Sequence, residues 1–387
     1  MTPLAAFRDV LLLVALAPFA FYFLAIVAAR QFFRASPASE PPSGFAPPVS
    51  ILKPIHGLDR EAYENFASFC RQDYPQFEIL FCVSDATDSA VPVIEKIIRD
   101  FPSRPIRLLI GSEAIGASDK VNKLCRMARE AHYEILVVSD SDVRVEPSSL
   151  REVTAPFADS RIGGVTCLYR GLTDGSFAAD LEALGNSTDF APGVLVARQL
   201  GGIAFMLGAV MATTRRHLGE IGGFESLADY FCDDYELGNR IAAHGSAIEL
   251  ARQAVSIVYP CQTLSEAFRH QLRWNLSIRF SRPLGHAGLI FSMGLPWAVL
   301  AAIAAPNALV AAAYLAAYCV LRVAVAWEVG VAGMKDSLAL KKVWLLPIRD
   351  AFAFLVWLAS FFPQRIHWRG REFFVREKRL VPAPPRR

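Results

Sequence analysis

The chain has 387 residues, of which 53% are hydrophobic, and a mean hydropathy of +0.31, which accommodates one sizeable domain with membrane spans and is too apolar for a purely soluble enzyme. The net charge of +3 is unremarkable as a total and is less informative than its distribution. Seven scattered cysteines form no C-x-x-C pair and no metal-ligand spacing, which argues against zinc and against a disulfide framework and fits a reducing compartment.

Residues 10–29 carry no charge, a length sufficient for a helix to cross a bilayer. The run exceeds a signal peptide's apolar core, and Arg30 and Arg34 follow where a stop-transfer anchor places positive charge, so residues 1–34 read as a membrane anchor. Residues 35–48, rich in proline, serine and alanine, read as a linker. A folded domain opens with the short apolar strand 49–52, stopped at Pro54 and Gly57. Helix 60–71, strand 78–83 ending at Ser84-Asp85, helix 91–101 and strand 106–110 follow. A loop from Gly116 leads to helix 120–131.

Next comes ILVVSDSDVRV at 135–145, a strand without a polar face followed by Asp140 and Asp142. Such a strand belongs inside a sheet covered on both faces, and ligands of such sheets sit at the carboxyl ends of the strands. Two carboxylates there can hold a divalent metal, which can in turn hold a diphosphate; the plainer reading is a strand-end turn. Strands alternating with helices at this spacing indicate a doubly wound α/β domain. Farther on, 163–169 reads as a strand and 177–191 as a helix. The glycine-rich, apolar 201–214 suggests close packing beneath a cleft. Gly222-Gly223-Phe224 turns into helix 232–243, whose first turn holds Asp233 and Asp234. Carboxylates there suit the backbone dipole, so capping competes with catalysis as their role.

The amphipathic stretch 264–280 contains HQLRW at 270–274, where arginine and tryptophan suit a membrane-surface helix and equally a clamp on a diphosphate. Residues 288–327 hold a single charge, Arg322, and Pro306-Asn307 breaks them into a hairpin of two spans, placed at 287–327. The apolar 343–362 is interrupted by Pro347, Arg349 and Asp350. A full crossing there would carry the basic run 365–379 away from the folded domain's side, against the positive-inside tendency, so 328–387 reads as a re-entrant or interfacial segment plus a basic, lipid-facing tail. Three spans result, with domain and tail in the cytoplasm. The basic run adjoins a membrane segment and belongs to no nucleic-acid module, so no nucleic-acid partner is expected.

Six stretches now stand in one order: VSILKPIHGLD from Val49, KVNKL at 120–124, DSDVRV at 140–145, GGF at 222–224, DDYELG at 233–238, and HQLRW. In this the chain resembles the family 2 and family 21 types of processive and lipid glycosyltransferase, most closely the ceramide glucosyltransferase group and, within it, bacterial members associated with hopanoid biosynthesis. The resemblance runs from about Val49 to Trp274, with similar membrane segments on both sides. It implies a GT-A fold, a Rossmann-like, doubly wound mixed sheet, for residues 49–263, followed by an interfacial helix at 264–286. It also implies an inverting enzyme that moves glucose or N-acetylglucosamine from a UDP-sugar to the hydroxyl of a membrane lipid of ceramide or hopanoid type.

By the same resemblance Asp85 would bind the uracil or ribose, and Lys120 would lie near the phosphates. Asp140 and Asp142 would hold Mg²⁺ or Mn²⁺, with Asp140 also near the nucleotide. Asp234 would be the general base. Arg273 would neutralise the leaving diphosphate, Trp274 would shape the acceptor site, and His270 and Gln271 would belong to the same substrate-binding motif. Structural alternatives stand beside these: a turn aspartate for Asp85 and a solvated helix-end lysine for Lys120. Two departures are visible. His270 occupies a position usually held by glutamine or arginine, and Asp142 one where animal members carry a small residue. Two other classes compete: a processive polysaccharide synthase, which needs a longer membrane channel than three spans provide, and a catalytically silent membrane protein that binds sugar nucleotide or lipid.

Overall fold

A computed structural model describes residues 3–34, 42, 44–362, 366–368 and 371–382. Most of the expected linker, at 35–41 and 43, lies outside the described residues. The chain forms two compact units, one from Met1–Ser36, Thr173–Gly201 and Cys261–Gln364, the other from Pro37–Leu172, Gly202–Pro260 and Arg365–Arg387. The continuous 49–263 domain read from the sequence is therefore interrupted, with 173–201 grouping with the apolar helices.

The second unit is built on an eight-stranded sheet: β1 (Val49–Pro54), β2 (Phe77–Val83), β3 (Ile106–Ile110), β4 (Ile135–Ser139), β5 (Val143–Arg144), β6 (Ile162–Leu172), β7 (Val210–Thr214) and β8 (Ala247–Val258). They lie in the order β3-β2-β1-β4-β7-β6-β8-β5. The first four are mutually parallel; β7 runs antiparallel to both β4 and β6, which makes the sheet mixed. Every residue of β1, β2 and β4 is buried, the state expected of strands covered on both faces. Helix Asp119–Glu130 packs on β1 and β2, and helix Asp233–Ala243 on β6 and β8. Strand β8 escaped the sequence reading because Glu249, Arg252 and Gln253 interrupt its apolar run; only its second half is continuously buried.

The basic tail has a fold that the sequence did not suggest: the described part of 366–382 is a three-stranded antiparallel sheet of β9 (Ile366–Trp368), β10 (Arg371–Arg376) and β11 (Arg379–Pro382). The turn from β10 to β11 places Glu377 at φ 48° and Lys378 at φ 66°. Two consecutive left-handed residues match the twist of the flanking strands. Charge density hid this hairpin, since Glu-Lys is not a usual turn pair; Phe373 and Leu380 are its buried residues.

Among the described residues of the first unit, two helical stretches are long and apolar enough to cross a membrane, Pro3–Arg34 (32 residues) and Ala308–Gly333 (26 residues). A third span exists if the pair Pro283–Ser292 and Gly294–Ala304, bent by 54°, counts as one. The expected hairpin turn is present: Asn307 caps the following helix by accepting the Val310 N–H at 3.0 Å. Its first arm, Gly294–Ala304, has 11 residues, roughly 16 Å of helix, and cannot alone cross ~30 Å of hydrocarbon. Helix Leu346–Ala359, at 14 residues or about 21 Å, is also too short to span. The helix expected at 177–191 runs on through a π-helical turn, Asn186–Phe190, to Gly201.

Arg322, the one charge of the hairpin, is buried and fully engaged. Its Nε and Nη2 donate to Asp350 at 2.9 and 2.8 Å, its Nη1 to the Thr188 carbonyl at 2.7 Å, and its Nη2 also to Asp189. Tyr318 donates its hydroxyl to the same Asp350 carboxylate at 2.8 Å. Paired, bidentate geometry offsets the cost of burying these ions. Arg322→Leu leaves Asp350 without a cation and Asp189 with Arg349 alone, and we expect a loss of about 3–5 kcal/mol. Thermal unfolding in detergent checks this, and the double variant Arg322→Leu/Asp350→Leu should recover part of the loss.

Candidate active site

The site is built at the carboxyl end of β4. Asp140 follows the strand directly, and Lys120 from helix Asp119–Glu130 reaches its Oδ1 at 2.8 Å. The same ammonium lies 3.5 Å from Asp233 Oδ2. Lys120 is thus no solvated helix-end lysine; only 12% of its side chain is exposed. Ser118 caps that helix by accepting the Val121 N–H, which sets where Lys120 leaves the first turn.

A second lysine, unassigned in the sequence reading, lies beneath. Lys53 on β1 is completely buried, donates to the Asp140 carbonyl at 2.8 Å and to Ser139 Oγ at 3.2 Å, and sits 3.9 Å above the Phe69 ring. Its signal was available: a single charge in an otherwise closed strand. Burial pushes its ammonium down to about 7, against the pull of the Asp140 and Asp142 carboxylates. Burial also pushes Asp142 up to about 7, reinforced by Asp140 and Asp59 and opposed by Lys53.

Asp233 and Asp234 open helix Asp233–Ala243 and point differently. Burial raises the Asp233 carboxyl and Lys120 draws it back. Asp234 accepts the Tyr235 N–H at 2.7 Å and the Cys232 thiol at 3.1 Å, both on Oδ1. Its Oδ2 faces Gly208, where a Cβ would stand 3.0 Å from that oxygen and 3.5 Å from Asp140 Oδ2. One glycine therefore leaves open a space flanked by both carboxylates. Burial drives the Cys232 thiol well above its ordinary value, so it remains a donor. Tyr169 is buried in the same field, its phenol raised by burial and then by Asp234, Cys232, Asp140 and Asp142. Gly208 falls in the glycine-rich stretch read as close packing beneath a cleft, whereas Cys232 and Tyr169 carry no local pattern; the tertiary fold gathers the three.

Asp85 is exposed and accepts both the N–H and the hydroxyl of Thr87 on Oδ1 at 2.7 Å, a turn that holds its carboxyl below the usual range. Residues 270–274 belong to the other unit, within helix Leu264–Ser281, which starts with a capping box between Thr263 and Glu266. There His270 Nδ1 pairs with the buried carboxylate of Glu182, and the His270 and Trp274 rings lie 4.9 Å apart. Gln271 donates to Glu182 at 3.1 Å and accepts from Arg349 at 3.2 Å, so both ends of its amide are occupied inside the unit. Arg273 and Trp274 are partly exposed on the same helix.

Asp140 and Asp142 fit a divalent cation on chemical grounds. Asp142 is held toward its neutral form by burial and like charge, a strain that a nearby cation relieves. Among the described residues no group of three or more His, Cys, Asp or Glu forms a ligand cluster. Magnesium and manganese commonly take one or two carboxylates and complete their shell with phosphate oxygens and water, so a two-carboxylate set suits them.

This sheet order and the site at the end of β4 define the GT-A class of glycosyltransferase fold. A solved structure of the same fold is the mannosyltransferase PcManGT of Pyrobaculum calidifontis, in complex with GDP-Man and Mn²⁺. It is similar at a TM-score of 0.54 over 92% of this chain and 98% of that one, with 18% identity. The chain belongs to Glycosyl transferase family 21, whose sequence model matches residues 10–381. Ceramide glucosyltransferase 1 of Caenorhabditis elegans is 29% identical over 205 residues, 53% of this chain and 44% of that protein. The ceramide glucosyltransferase of Gibberella zeae is 33% identical over 135 residues, 32% of this chain and 26% of that one. The matches thus cover less than half of these relatives' lengths.

Gly208→Ala tests the shared space. The added methyl meets Asp234 Oδ2 and displaces it, so turnover should fall by about 10–10²-fold. The thermal midpoint should stay within a few degrees of wild type, separating misplacement from unfolding.

Proposed function

We propose that the chain is an inverting glycosyltransferase that moves a hexose from a UDP-sugar to the hydroxyl of a membrane lipid. The observation that carries this reading is the pair of carboxylates, Asp140 and Asp234, flanking the open face of Gly208 with Lys120 bound to Asp140. Asp234 Oδ2 takes the acceptor's proton as the hydroxyl oxygen bonds to the anomeric carbon and the bond from that carbon to the diphosphate breaks. Such a base is worth about 10²–10⁴-fold in rate. Asp234 suits the role better than Asp233, whose oxygen lies against Lys120. Lys120 offsets the negative charge of the departing diphosphate. Asp140 and Asp142 would hold Mg²⁺ or Mn²⁺, which when bound neutralises diphosphate charge. Single displacement accounts for inversion, and Asp234 needs no covalent intermediate for it.

Asp85 is assigned to the uracil or ribose through the carboxylate oxygen not used by Thr87. Arg273 and Trp274 are assigned to the diphosphate and acceptor. Gln271 and His270 support them, since both are tied to Glu182. Ceramide or a hopanoid polyol is the proposed acceptor, and glucose or N-acetylglucosamine the transferred sugar. The apolar helices keep the protein where such an acceptor resides. At about 0.8 kcal/mol per methylene, drawing one long chain out of lipid costs on the order of 10 kcal/mol. An inner-membrane location with the site on the cytoplasmic side, where sugar nucleotides are available, completes the reading.

Purified protein in lipid nanodiscs, offered radiolabelled UDP-glucose or UDP-N-acetylglucosamine with ceramide, diacylglycerol or a hopanoid polyol, tests it. Labelled lipid should form with one donor, vanish with EDTA, and fall about 10²–10⁴-fold in Asp234→Asn. Nucleotide binding without UDP release on any acceptor would overturn the enzymatic reading in favour of a binding protein.

A further inference from the structure

We propose that the carboxyl-terminal hairpin is a positioning element of this site, acting through Lys378 and the main chain of 229–231 on the helix that carries Asp234. The proposal rests on the functional reading above for its catalytic consequence and on geometry alone for its mechanical part.

The hairpin is joined to the segment before Asp233 by three kinds of contact. Its main chain pairs with that segment in both directions: the Phe231 N–H donates to the Lys378 carbonyl at 3.0 Å, and the Leu380 N–H donates to the Asp229 carbonyl at 2.8 Å. Lys378 Nζ donates to Glu236 Oε1 at 3.0 Å, reaching the first turn of helix Asp233–Ala243. The Tyr230 ring meets two guanidiniums, Arg379 of the hairpin at 5.3 Å and Arg240 at 4.8 Å from its centroid. Glu236 is buried between two cations, Lys378 at 3.0 Å from Oε1 and Arg240 at 3.8 Å from Oε2, and Lys378 is the one the hairpin supplies.

The same segment grips the other cationic arm of the site. Ser118, which caps the Lys120 helix, donates its N–H to the Ala228 carbonyl at 2.8 Å, and Ala117 donates to Asp229 Oδ1 at 3.0 Å. Gly116 lies so close that a Cβ there would stand 2.6 Å from the Ala228 methyl. Residues 228–231 are therefore a common root, clasped on one side by the hairpin and on the other by the loop that sets Lys120. Asp233 and Asp234 leave this root within two to three residues, before the helix has a complete turn of its own hydrogen bonds. Their aim is decided by the root more than by the helix.

The hairpin turn explains why Lys378 performs this task. Its left-handed φ of 66° turns its carbonyl onto Phe231 while its side chain reaches Glu236, so one residue supplies a main-chain and a side-chain contact. Lysine is not a residue favoured in that conformation, and the two contacts account for its presence there.

The test uses full-length protein in nanodiscs with Lys378→Met, Glu236→Gln, the double variant, and Lys378→Arg. A positioning role predicts a fall in kcat of about tenfold in each single variant with donor KM within about twofold. The double variant should lose no more than either single one, the signature of a shared contact, and Lys378→Arg should restore most of the rate. Hydrogen exchange of the amides of 228–236 should quicken in Lys378→Met without a change in the exchange of β1, β2 and β4. Unchanged kcat and unchanged exchange would overturn the proposal, as would losses tracking only the amount of folded protein. Should the wild-type protein transfer no sugar, the functional reading fails, and the exchange measurement still decides the mechanical part by itself.

Discussion

Four carboxylates, Asp140, Asp142, Asp233 and Asp234, gather around one strand end, and the fold tolerates them because two lysines are held within it. Lys120 bridges Asp140 and Asp233, while Lys53 lies below the loop and binds its main chain. Neither lysine is free to follow solvent; one is wholly buried and the other nearly so. The arrangement is preorganised, since charges of both signs are fixed before any ligand arrives. With Asp142 and Lys53 both pushed toward neutrality, Asp140, Asp233 and Asp234 still outnumber Lys120 and leave a local excess of negative charge. That excess cannot recruit a diphosphate unaided, which is the electrostatic argument for a cation accompanying the donor.

The helical unit solves a related problem in a drier setting. Arg322, Arg349, Asp189 and Asp350 are two cations and two anions linked into one group, and Glu182 answers His270 and Gln271. Ionisable groups among apolar helices are costly unless each finds a partner. Here the partners lie 28 residues apart for Arg322 and Asp350 and 133 apart for Arg322 and Asp189, so the pairings lock separate segments into one unit. Helix Leu264–Ser281 is among the segments secured in this way, and this fixes the face on which Arg273 and Trp274 stand.

Much of the sheet was legible because parallel strands buried on both faces read as continuous apolar runs: ILVVS, FEILFCV and VSIL announce themselves, and the turn residues after them mark their carboxyl ends. Strand β8 did not, since its polar residues sit on a part-exposed half, and the carboxyl-terminal hairpin did not because its basic residues suggested a lipid surface. Asp140, Asp142, Asp233 and Asp234 were legible as motif residues. Lys53 showed only as a single charge in an apolar strand and Gly208 only as one glycine of a glycine-rich run, because the part each plays is a distance to something far away in sequence. A motif records which groups are present; which oxygen is left facing open space is a property of packing.

That distinction bears on the choice between Asp233 and Asp234. Adjacent residues on a helix project about 100° apart, so the pair cannot serve one hydroxyl together. Lys120 lies against Asp233, whereas Asp234 has one oxygen tied to Tyr235 and Cys232 and the other turned to Gly208. The proposed assignment therefore rests on what surrounds each carboxylate and not on its place in the sequence. Because both sit in the first turn, the rotation that distinguishes them is set by the chain entering the helix. A small twist of residues 228–231 would rotate the two carboxylates together and change which of them faces the open side of Gly208. A structure that anchors this short stretch by main-chain pairing on one side and a capped helix on the other guards that rotation, and with it which carboxylate is turned to Gly208.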